Sequence, residues 1–272
     1  RRRQCNSRPA VRPCDERGGV GGIRNWLKPI ADALHERAAP LQLFIRDDDA
    51  GWDDARLARL VELCDRHEVA LDLAVIPTAL SLGTGAWLAS RIGERLRCHQ
   101  HGFAHVNHAL TGRKCEFGTD RAIDAQHADL RRGWSLLNQL LQGRVDEIFT
   151  PPWNRCSQAT ADALCELGFR GLSRDAGAAP LRLGSLQSLP VHVNWMKPRL
   201  DAEPDLHALA AMIAEALRRE SEVGLMLHHA VMTDRDFESF GELLALLRSL
   251  GVVEFVTMRS LLPATDALRR TA

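Results

Sequence analysis

Short apolar runs alternate with amphipathic stretches along almost the whole chain, and no other feature so narrows what it can fold into. Apolar strand-like runs fall at 42–46, 71–76, 96–100, 147–150, 171–173, 189–193, 224–227 and 252–256. Between them lie stretches with helical spacing, such as 53–67, where Leu57, Leu60, Val61 and Cys64 recur at three- and four-residue intervals. Helices are also predicted over 23–38, 86–92, 120–141, 157–167, 206–219 and 237–250. Strand–helix units repeated over roughly 230 residues argue for a parallel sheet with helices outside it. Polar residues stand at or just past nearly every strand's C-terminal end: 47–49, 99–105, 150–153, 173–175, 192–195 and 228–229. An open sheet brings only the strands at its switch point to one site, whereas a barrel gathers all of them around one mouth. The expected fold is therefore an α/β, irregular (β/α) barrel of about seven parallel strands, irregular because several strands are short. No linker or internal repeat interrupts the pattern, so 23–272 reads as a single domain. Residues 1–22, rich in Arg, Pro and Gly, read as a disordered arm.

Charge excludes some partners. Thirty-five basic and 35 acidic residues cancel in the 272-residue chain, which gives no pull toward nucleic acid or an anionic membrane. Seven cysteines, an odd number with no CxxC pair, do not suggest a disulfide framework and fit a reducing compartment. No apolar run approaches the roughly 20 residues of a transmembrane segment. The basic start has no apolar region behind it, so it is not a secretory signal, and a cytoplasmic location is expected.

The chemistry concentrates at two strand ends. Asp47, Asp48 and Asp49 follow the apolar run 41–45. Like charges this close raise one another's proton affinity unless a cation neutralises them, and a metal ion is the obvious cation. The stretch 98–108 holds four of the eleven histidines. His101 and His105 are four apart, so on a helical turn both imidazoles face one ion. His99, two residues earlier, is expected to point elsewhere. Two His and one Asp leave positions open for water and substrate, and zinc, cobalt, nickel, manganese or iron(II) all suit such a set.

In this combination the chain resembles the polysaccharide deacetylase family, metal-dependent carbohydrate esterases with an irregular (β/α) barrel. The likeness runs from about Leu41 to Leu262, with five motif regions in order. The family's first motif is Thr-Phe-Asp-Asp-Gly in type, its first Asp the general base and its second a metal ligand. Here the match is Asp48 as base and Asp49 as ligand, with Asp47 and Asp48 as the alternative pair. His101 and His105 match the two metal histidines of His-Ser/Thr-x-x-His, with Gly102 replacing the hydroxyl residue that braces the loop. The Arg-Pro-Pro-Tyr-Gly motif becomes Thr150-Pro151-Pro152-Trp153-Asn154, so Pro152, Trp153 and Asn154 are candidate substrate-binding residues. Thr150 stands where the family has an arginine paired to the base; Arg155 or Arg46 are candidate replacements. In the fourth region, Asp175 of Ser173-Arg174-Asp175 is a candidate supporting carboxylate. The Leu-x-Leu-His motif appears as 225–228, making His228 the expected general acid, with His229 its alternative. Trp195, at another strand end, is a further candidate for lining the groove.

The resemblance implies hydrolysis of a non-peptide carbon–nitrogen bond: removal of an acetyl or other acyl group from an N-acetylated glycan or small acylated substrate. One divalent ion, zinc the expected one, is held by Asp49, His101 and His105. Asp48 takes a proton from water, backbone N–H near Trp153 helps stabilise the oxyanion, and His228 protonates the leaving group. The alternative is a non-catalytic glycan- or metabolite-binding relative, favoured by the missing motif arginine and loop hydroxyl. There is no GxGxxG, phosphate loop or GxSxG turn to support another chemistry.

Overall fold

The computed structural model describes residues 24–264; the arm expected over 1–22 lies outside them. Helix α1 (Lys28–His35) precedes β1 (Leu41–Ala50), α2 (Asp54–Arg66), β2 (Leu71–Val75), α3 (Leu82–Arg91) and β3 (Leu96–His101). Then come α4 (Ile123–Leu140), β4 (Asp146–Thr150), α5 (Gln158–Glu166), β5 (Gly171–Leu172), β6 (Gln187–Ser188) and β7 (Val193–Asn194). A small antiparallel pair, β8 (Arg199–Leu200) and β9 (Glu203–Pro204), leads into α6 (Leu206–Arg219), β10 (Glu222–Leu227), α7 (Asp234–Leu250) and β11 (Val253–Phe255).

Eight strands follow one hydrogen-bonded path, β6-β5-β4-β3-β2-β1-β10-β7, with every pair parallel. β11 joins β1 at residues 41–43, below the part of β1 that pairs with β2. The predicted strand 189–193 is an extended link that joins β6 to β7 and makes one isolated bridge, Val191 to Asp175. Pro190 has no N–H to give a ladder, and the residues around it bond to opposite sides. Leu189 N–H donates to Leu172 O and His192 N–H to Gly224 O. One stretch of chain thus supplies both edges of the curled sheet, which makes the expected irregular barrel. Gly224 permits this approach: a Cβ there would lie 2.5 Å from Pro190 O and 2.4 Å from the Phe44 ring.

Strand alternation sorts the side chains into two layers. On β1, Leu41, Leu43 and Ile45 belong to the large core beneath the helices, with Leu71, Leu73 and Val75 of β2 and Val223, Leu225 and Leu227 of β10. Phe44, Ile148 and Met226 point the other way, into the barrel, with Leu189, Val191 and Met258. Burial of such side chains contributes about 1.5–3 kcal/mol each. Two helix starts are set by side-chain caps. α3 begins four residues before the predicted 86 because Ser81 Oγ accepts from Thr84 N–H. α7 begins at Asp234 rather than at 237 because Thr233 and Asp236 form a capping box. The five cysteines among the described residues are free, and no helix among those residues is long and apolar enough to cross a membrane.

Candidate metal centre

β1 does not stop at Arg46 as expected but runs through all three aspartates, to Ala50. Its alternation therefore assigns Asp47 and Asp48 to opposite sides. Asp47 shares the outer face with Leu43 and Ile45. It accepts from the His229 backbone N–H at 2.9 Å and faces His229 Nδ1 at 2.5 Å, while His229 Nε2 donates to Trp52 O at 2.7 Å. Both ring nitrogens thus donate, so His229 is an imidazolium. Burial opposes that charge, but Asp47 outweighs burial and raises the His229 pKa to about 9. Asp47 and His229 form a closed, fully buried pair, and neither is left free for a base, ligand or acid.

Arg46 and Asp48 share the inner face with Phe44. The Arg46 guanidinium is wholly buried. Nε and Nη2 donate to the two Asp48 oxygens at 2.8 and 2.9 Å, Nη1 to Ser173 Oγ at 2.6 Å, and Nη2 also to Asn154 Oδ1 at 2.7 Å. Ser173 Oγ in turn donates to Leu189 O. Burial works against ionising Asp48, yet Arg46, His101 and His228 together hold its carboxyl below the usual range. Arg46 thus occupies the role left open by Thr150, and Arg155 does not. Ser173, rather than Asp175, is the supporting residue of the fourth region. Its place directly after β5, next to the core residue Leu172, was the available signal.

Asp49 leaves the strand in a left-handed conformation (φ 69°), which turns its carboxylate toward β3. His101 ends β3, and Gly102 (φ 56°) and His105 (φ 55°) bend the following chain back. The two histidines converge through this turn rather than along a helix as expected. Asp49 Oδ1 lies 3.3 Å from His101 Nε2 and 3.2 Å from His105 Nε2. His101 Nδ1 donates to Thr150 O at 3.1 Å, so in neutral His101 Nε2 presents a lone pair. Oδ1, buried and without a hydrogen bond, therefore faces acceptors across a gap that only a proton or a cation can bridge. Burial opposes charge on both partners. Even so, Asp49 raises the His101 pKa, and the histidines bring Asp49 down to about 2. For His105, burial and the His101 charge favour the neutral imidazole. One ligand atom from each of the three residues lies within 4.8 Å of the others, so the set fits a divalent ion such as zinc.

The loop brace is also relocated. A Cβ on Gly102 would fall 2.2 Å from Glu116 Oε2 and 2.5 Å from Pro152 Cγ. The Glu116 carboxylate fills that space and accepts from the Phe103 and Ala104 N–H groups at 3.2 and 2.8 Å. Pro152 is thus a buried buttress behind the loop, not a groove residue. His99 does not point elsewhere: it lies on the same face as His101, with Nε2 bonded to Thr150 Oγ1 at 2.8 Å.

Trp153 (φ 56°) packs its ring 4.5 Å from His105, which meets Trp52 edge-on at 4.9 Å on another side. Trp153, Asn154 and His228 line a cleft of about 840 Å³. His228, the residue just past β10, lines this cleft, and its buried Nδ1 has no hydrogen-bond partner. The N–H after Trp153 is committed, Asn154 N–H donating to Pro151 O. Trp195 is not brought to the groove. It is fully buried against Phe240, with Nε1 donating to Asp236 at 2.8 Å, and is a core residue.

The fold is polysaccharide deacetylase-like. A Mycobacterium smegmatis protein, provisionally named a polysaccharide deacetylase, superposes with a TM-score of 0.62 at 16% identity, over 86% of this chain and 94% of that one. A family 4 acetyl xylan esterase from Clostridium thermocellum, in complex with a cobalt ion, gives 0.57 at 16% identity over 81% and 89%. A CE4 family pseudoenzyme from Bacillus anthracis gives 0.57 at 13% identity over 82% and 66%. Neither the protein-family models nor the curated proteins include a match to the sequence.

Proposed function

We propose that the protein is a metal-dependent hydrolase that removes an acetyl or related acyl group from an amide on a sugar or small molecule, with 23–272 acting as one domain. The observation that carries this reading is a pinned, ionised carboxylate, Asp48, beside the Asp49–His101–His105 set. Zinc is the proposed ion; when bound it supplies Lewis acidity and lowers the pKa of water. Asp48, kept unprotonated by Arg46, accepts the proton of the attacking water. His228, which lines the cleft, delivers a proton to the leaving nitrogen. The N–H of Trp153 itself, rather than the one that follows it, is the proposed oxyanion donor. Trp153 stacks on a sugar ring beside His105.

A non-catalytic relative, as in the Bacillus anthracis pseudoenzyme, was favoured by the loss of the motif arginine and the loop hydroxyl. Arg46 and Glu116 take over both duties, which supports the catalytic reading. The test combines metal analysis of the purified protein with acetate release from N-acetylated sugars. The protein is expected to carry one ion per chain. D49A, H101A and H105A each lose the ion, while D48N and H228A keep it and lose at least a hundredfold in kcat. A metal-free protein, or a D48N variant that turns over normally, refutes the reading.

A further inference from the structure

The cleft beside Trp153 carries four cationic side chains, Arg113, Arg155, Arg174 and Lys197, and a single carboxylate, Asp175. The chain as a whole is neutral, with 35 basic and 35 acidic residues, so this wall concentrates positive charge. None of the four makes an ion pair among the described residues, whereas arginines elsewhere do: Arg56 with Asp53, Arg218 with Glu36, Arg248 with Glu68. Arg155 is anchored through Nη1 to Lys114 O at 2.8 Å, while its buried Nε has no partner. Burial and then the Arg113 charge disfavour its own charge, and Asp175 offsets this only in part. Arg174 donates to Ala179 O at 3.2 Å and so holds the loop that forms one side of the cleft. Arg155 and Arg174 are half-buried and Arg113 and Lys197 exposed; unpaired cations gathered in this way are stabilised by an incoming anion. The volume, about 840 Å³, is that of a small-molecule site.

We propose that this cleft selects an acylated sugar bearing an anionic group, a carboxylate or a phosphate, which binds Arg113, Arg155, Arg174 and Lys197 while the acyl amide lies at the metal centre. The substrate class rests on the deacylase reading; the anion site does not. Three ligands that differ only at the sixth carbon test it: N-acetylglucosamine, N-acetylglucosaminuronate and N-acetylglucosamine 6-phosphate. Calorimetry on the full chain at low salt gives their Kd values, and acetate release is measured in parallel. At least one anionic ligand binds ten times or more tightly than the neutral sugar, and the better of the two identifies the group. The advantage shrinks with added NaCl. In R155Q, and in K197Q at an exposed position where folding is not at risk, the anionic-to-neutral ratio falls at least threefold. Equal Kd values for all three ligands, or discrimination unchanged in both variants, overturn the proposal. Discrimination in binding with no acetate released from any ligand upholds the anion site and refutes the deacylase. Equal binding with acetate release does the reverse.

Discussion

A guanidinium inside a barrel is tolerated only if its donors meet acceptors, and Arg46 meets Asp48, Ser173 and Asn154 at once. The arrangement fixes the Asp48 carboxylate in position and in charge. Replacing Arg46 with Met leaves that carboxylate buried without its partner. R46M is therefore expected to lose about 3–5 kcal/mol in chemical denaturation. R46M/D48N should be more stable than R46M alone, because the orphaned charge is gone. A double variant no more stable than R46M would show that Arg46 acts through packing alone. His228 and His229 differ in the same physical way, one lining the cleft with an unpartnered Nδ1 and the other closed against Asp47.

At the scale of elements, the candidate metal set depends on two strand ends and one turn. β1 carries Asp49 to the rim in a left-handed conformation, and Gly102 bends the chain after β3 over the Glu116 carboxylate. Any side chain at 102 meets Glu116 and Pro152 while adopting a φ that L-residues disfavour. G102A is expected to lose about 1–3 kcal/mol in thermal or chemical unfolding. It should also lower bound metal below one ion per chain, because His105 is displaced. Full metal content in folded G102A would mean that the turn does not position His105. The relocation of the brace from a neighbouring hydroxyl to Glu116, 14 positions along, explains how the loop survives its altered motif.

Across the whole molecule, the barrel interior is polar at the mouth, apolar in the middle and polar again lower down. In that lower layer Asp146 pairs with Arg97 and Arg259, and Asp72 accepts from Met258 N–H at 3.0 Å. Burial first, with the Asp146 charge adding to it against the Met258 bond, raises the Asp72 pKa to about 8. Asp72 is thus protonated in the native state and ionised in the unfolded state above its ordinary value of 3.8. The unfolded chain binds fewer protons between these values, so the Asp72 contribution is complete below about pH 4 and is lost as pH rises through 8. Unfolding free energies measured from pH 5 to pH 9 should fall less steeply for D72N than for the wild type. Parallel profiles would mean that Asp72 is ionised in the folded protein.

The alternation of strand and helix, and polar residues at the strand ends, were sufficient in the sequence to specify a parallel barrel with its chemistry at one rim, because period and burial are local properties. Strand parity also contained the choice of Asp48 over Asp47 and of His228 over His229. That choice was hidden while β1 was expected to end at Arg46, since a strand that stops there has no parity to pass on to the aspartates. Only the tertiary structure decided that Arg46 replaces the motif arginine, that Glu116 braces the histidine loop, that Trp195 is core, and that four unpaired cations share one cleft. These outcomes depend on which long side chains from different strands reach the same point in space, and separation along the chain carries no information about that reach.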